Sequence, residues 1–220
     1  IDFSILSKSR TSIIESIILA MVLPIKSSPV IVFIIVTLVN LFLDKIKINK
    51  IALMYLLLAL INSLLGLNTF QNTYELTNSL NYDGFDLFLG FGSGGICATS
   101  ILLITASIII LSFNKLYKRD LVVSSIIVFI LLGTIPYMIS EEYSEILKFI
   151  FGYNILFSFV YIAPNLLYST YTLKGQILSG IVLAFLTYFL TFVTPYNAVF
   201  ISIIIVSLLS GIFDRIFVIK

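Results

Sequence analysis

Long apolar stretches alternate with short polar connections along this chain. The pattern predicts eight hydrophobic segments: about 12–24, 29–43, 48–66, 86–113, 121–139, 146–168, 175–193 and 196–213. Several approach or reach the ~20 residues that a helix needs to cross a bilayer. Runs such as Ile101–Ile110 stay apolar without the in–out alternation of a barrel strand. The expected fold is therefore all-α: a polytopic membrane helix bundle of about eight transmembrane helices. A single integral membrane domain over residues 1–220 is expected, since no polar linker or charge block divides the chain. The first two segments are short, and a re-entrant pair is the competing reading of them.

Composition supports the membrane assignment. With 60% hydrophobic and 11% charged residues and a mean hydropathy of +1.14, the chain lies outside the range of soluble domains. Charge then orients the segments, because cytoplasmic loops collect Lys and Arg. With eight spans, one side holds Lys8, Arg10, Lys45, Lys47, Lys50, Lys115, Lys118, Arg119, Lys174, Arg215 and Lys220. Only Lys26 and Lys148 fall on the other. The acids Glu75, Asp83, Asp86, Glu141, Glu142 and Glu145 all lie on that lysine-poor side. Both termini are thus expected in the cytoplasm and the chain in the plasma (inner) membrane. The longest connection, 67–85, is rich in Asn and Thr and is expected to lie over the outer mouth. Pro24, Pro136 and Pro195 each stand near the outer end of an outward-running segment and read as helix stops.

The sharpest irregularity is Gly90-Phe91-Gly92-Ser93-Gly94-Gly95 inside the fourth segment. Each Gly costs up to ~1 kcal/mol against Ala in a helix. At membrane depth such a run predicts a broken helix packed on protein or lining a wet cavity. Its free backbone groups could meet an ion or polar solute. Alternatively, Gly90 and Gly94, four apart, let a neighbouring helix approach closely. Asp86 stands at the edge of this stretch, within an acidic outer mouth that would concentrate cations.

Glu15 is the one acid well inside an apolar run. It reads either as a functional intramembrane carboxylate or as one that snorkels to water from near the start of its segment. In the sixth segment Asn154, Tyr161, Asn165 and Tyr168 recur at helical spacing, and Pro164 frees a carbonyl one turn earlier. A single polar helix face is expected there, lining a path or tying helices together.

Enzymatic chemistry finds little support. The chain has no histidine, which removes serine–histidine dyads and histidine metal sites, and its one cysteine, Cys97, can form no intrachain disulfide. P-loop and Rossmann fingerprints are missing. No catalytic residue, metal ligand, cofactor or nucleic-acid partner is assigned. The favoured function is a small-solute or ion transporter. Its path would use Asp86, Gly92, Ser93, Gly94 and Gly95 beside Asn154, Tyr161 and Asn165. The alternative is a non-catalytic integral subunit of a larger membrane complex, and a third is a lipid- or glycan-handling enzyme. Expected partners are the bilayer, a small solute or cation, and other membrane subunits or further copies of the chain.

Overall fold

The computed structural model describes residues 3–24, 27–42, 46–66, 84–90, 99–140, 149–150 and 154–217. Among these every regular element is a helix, and no strand forms. We number the helices α1 (Phe3–Val22), α2 (Pro29–Phe42), α3 (Lys50–Leu64), α4 (Gly84–Leu89), α5 (Ile101–Ser112), α6 (Arg119–Ser140), α7 (Ile155–Phe157), α8 (Leu173–Thr191) and α9 (Ala198–Phe217). Three apolar stretches, Arg119–Pro136, Leu173–Thr191 and Ala198–Phe217, are long enough to cross a bilayer alone. Shorter apolar helices stand beside them.

Helix ends follow the local chemistry. Asn49 caps α3 by accepting from the Ala52 N–H at 3.3 Å, and Thr172 caps α8 by accepting from the Gly175 N–H at 3.2 Å. Gly66, at φ +66°, closes α3 in the left-handed geometry that glycine tolerates. Pro24 and Pro195 follow helix ends as expected. Pro136 does not: it lies inside α6. Membrane helices tolerate an internal proline, because neighbouring groups take over the freed backbone polar atoms.

The centre of the bundle is α8, which packs on both α6 and α9, while α3 joins α9 to α1 and α2. The buried face of α8 is small: Gly175, Ser179, Gly180, Ala184, Thr187 and Thr191 accompany Leu183. Small residues let backbones approach, which is how helices associate where lipid removes the hydrophobic driving force. Gly180 is the tightest case, since a Cβ there would collide with the Ser124 hydroxyl and the Leu121 carbonyl of α6. Buried hydroxyls bond back into their own helices, as Thr187 does to Leu183 O at 2.8 Å and Ser202 to Ala198 O at 2.8 Å. Tyr55 of α3 stacks on Phe200 of α9 with ring centroids 3.6 Å apart.

Candidate functional site

The predicted break in the fourth segment is present. α4 ends at Leu89, Gly90 takes φ +107°, and α5 begins at Ile101 behind its cap Ser100. Gly90 packs on Ser100, whose Cβ would lie 2.9 Å from a Cβ built on the glycine. Only glycine fits there, on both conformational and steric grounds. Gly92, Ser93, Gly94 and Gly95 lie outside the described residues. Asp86 sits half-exposed in the first turn of α4, with its carbonyl accepting from Gly90 N–H at 3.0 Å.

The sixth segment departs from the expected single helix. Asn154 is buried and left-handed (φ 55°, ψ 21°), α7 is one short turn, and Ser158–Ile162 is a π-helix. The wider π-turn shifts every later side chain off the α period. Asn154, Tyr161 and Asn165 therefore do not share an α-helical face. Tyr161 instead neighbours Tyr117, which donates to the Val160 carbonyl at 3.0 Å. Burial, with a smaller contribution from Tyr161, holds the Tyr117 phenol well above its ordinary pKa. Asn165 builds a turn: its side-chain oxygen accepts from Leu167 N–H at 3.0 Å and its carbonyl accepts from Ser169 N–H at 3.1 Å. Segments four and six are nonetheless neighbours, since α5 packs on α7. Glu15 is buried, at 6% exposure, in the interior of a helix that begins at Phe3 and not near 12.

The best-defined polar cluster lies at the basic end of the bundle. Its centre is Lys118, only 5% exposed. The Lys118 ammonium donates to the carbonyls of Ser169 (3.1 Å) and Thr170 (2.5 Å) and stands 4.1 Å from the Tyr171 ring centroid. Burial pulls its pKa below the ordinary lysine value, and the opposing pull of Asp214 does not offset this. Asp214, near the end of α9, accepts from the N–H of Tyr171 (3.0 Å) and from the N–H and hydroxyl of Thr172 (both 2.9 Å). A carboxylate thus meets the positive N-terminus of α8.

Beside this corner lies a cavity of about 10 Å³, room for about one water molecule. Asn49, Tyr168, Ser169, Thr170, Ser179 and Ser207 line its polar side. Asn49 spans it, donating from its side chain to the Ile162 carbonyl at 2.8 Å and from its backbone to the Ser207 hydroxyl at 3.3 Å. Two carbonyls of the π-turn region, Val160 and Ile162, are thereby taken up by Tyr117 and Asn49.

The sequence reading missed this cluster. Lys118 counted there only toward topology, and Asp214 fell just past the last apolar segment. The one available signal was that Lys45–Lys50, Lys115–Arg119, Lys174 and the C-terminal end share a side. The structure brings those connections into contact.

An α-helical bundle with several membrane-crossing helices, a broken helix and a polar corner at its basic end defines an integral, multipass membrane protein. More particularly, the chain belongs to the NQR2, RnfD, RnfE family, whose sequence profile matches residues 47–220. This is a family of multipass membrane proteins of the inner membrane. No curated protein matches the chain.

Proposed function

We propose that this chain is an integral membrane subunit of an ion-translocating complex, contributing part of the cation path. The carrying observation is the family match over 47–220, because members of that family are integral membrane subunits of such complexes. That favours the subunit reading over a permease acting alone. The outer part of the path runs past Asp86 and the Gly90–Gly95 break. Two features support this: the distorted, protein-packed backbone at Gly90 and the contact of α5 with α7 near Asn154. Tyr161 and Asn165 belong to the inner part, one beside Tyr117 and the other supporting the turn under Lys118.

The test is purification of the tagged chain in mild detergent, followed by reconstitution. We expect other membrane subunits to co-purify in fixed ratio, and ion flux only from the assembled complex. Asp86→Asn should slow that flux, and Gly94→Leu should block it, with assembly unchanged. A chain that purifies alone and moves ions by itself would restore the permease reading. Normal flux in both variants would remove Asp86 and the glycine break from the path.

A further inference from the structure

We propose that Lys118 is a tethered cation filling a monovalent-cation site, formed by the carbonyls of Ser169 and Thr170 and the face of Tyr171. A sodium- or potassium-sized ion would take this place when the ammonium is withdrawn. The partners of Lys118 are generic to cations. Two carbonyl oxygens converge on Nζ at 3.1 and 2.5 Å, and an aromatic face lies 4.1 Å away. Converging main-chain carbonyls replace the hydration shell of alkali ions, and an aromatic face attracts any cation. Asp214 supplies negative charge nearby while its oxygens serve the N–H groups of Tyr171 and Thr172.

The cradle does not depend on the lysine for its shape. On one side Asn165 holds Ser169, whose N–H and hydroxyl donate to the Asn165 carbonyl at 3.1 and 2.6 Å. On the other side Asp214 holds the backbone at Tyr171 and Thr172. The two carbonyls should therefore stay converged after Lys118 is removed. The Thr170 and Ser179 hydroxyls, 3.2 Å from each other, belong to residues that line the adjoining cavity and add oxygen donors there. The adjoining cavity of about 10 Å³ can hold the water that would complete a coordination shell. Lysine burial also fits, because a buried ammonium is costly unless such partners meet it. As a station on an ion path the site rests on the function proposed above; as a coordination site it does not.

The experiment compares the parent protein, Lys118→Ala and Lys118→Met in detergent. Thermal stability is measured in sodium, potassium, rubidium and choline chloride at equal ionic strength. The alanine opens the cradle, whereas the methionine fills it without charge. We expect Lys118→Ala to gain roughly 5 °C, saturably, in at least one alkali salt over choline. The parent and Lys118→Met should show no such preference. Equal salt responses in all three proteins would overturn the proposal. If Lys118→Ala folds only when an alkali salt is present, that supports the site. If it fails in every salt while Lys118→Met folds, the site is refuted. A negative result leaves the subunit reading standing, because co-purification does not enter this assay.

Discussion

Asp214→Ala removes the carboxylate that holds the start of α8. The carboxylate accepts from the Tyr171 N–H through both oxygens at 3.0 Å, and from the Thr172 N–H and hydroxyl at 2.9 Å. Tyr171 is 69% exposed, so water can replace the acceptor for its N–H. Thr172 is half-buried, so its N–H has less access to a substitute. A buried donor left without an acceptor costs about 1–3 kcal/mol, and an anion at a helix N-terminus contributes about 0.3–1 kcal/mol. The expected loss is about 1.3–4 kcal/mol, or roughly 4–12 °C in midpoint for a chain of this size. Asp214→Asn keeps one acceptor oxygen and should lose about half as much. The assay is the fraction of protein still monodisperse by size-exclusion chromatography after heating in mild detergent. Peptide-level hydrogen exchange over Tyr171–Gly175 gives a local readout and should accelerate in the alanine variant. An alanine variant within ~2 °C of the parent would refute this account of the α8 cap. So would an asparagine variant as damaged as the alanine.

Further outcomes follow from other contacts. Gly180→Ala should destabilise by about 1–3 kcal/mol, since the atoms it meets include α6 backbone, and Gly211→Ala, with open space around it, should not; the same heating assay separates them. Tyr117→Phe removes the donor to Val160 O and should speed hydrogen exchange across Ser158–Ala163 by roughly fivefold, about 1 kcal/mol. The Tyr117 phenol stays protonated in the folded protein beyond pH 10, where the unfolded chain ionises, so the parent should lose stability above pH 10 relative to Tyr117→Phe. A melting series across pH 9–11 checks the sign. Single cysteines at Asn78 and Lys115 in a Cys97→Ser background should label from opposite sides of the membrane; Lys115 is the exposed reporter, whereas Lys118 is buried.

The fold class was legible because it rests on bulk physics: apolar segments long enough for a bilayer, and basic residues sorted to one side. The distorted backbone at Gly90 was legible because four glycines in six residues make a continuous helix costly. Local backbone chemistry was less so. Pro136 could not be told from Pro24 or Pro195 by its neighbours, because each follows an apolar run and a membrane helix can continue through a proline. The sixth segment read as α-helical from spacing alone, and that period fails once Asn154 turns left-handed and the π-turn follows. The Lys118 corner was hidden for a different reason. Its ligands are carbonyls, which every residue carries, so no side-chain pattern announces them. Only folding the separate connections together shows that a lysine, a threonine turn and an aspartate meet.

Three of the flanking helices have a consequence for the lipid around them. α2, α3 and α5 contain 14, 15 and 12 residues. At 1.5 Å per residue they span only ~18–23 Å, well short of a ~30 Å hydrocarbon layer. Their outward faces carry Phe33, Leu41, Phe42, Leu103 and Ile110, all strongly exposed. Beside such short apolar walls acyl chains must compress, whereas the longer α6, α8 and α9 suit an unperturbed bilayer. Thinning of this kind is relieved where another protein covers a short helix, so bilayer elasticity itself would push these helices toward a neighbour.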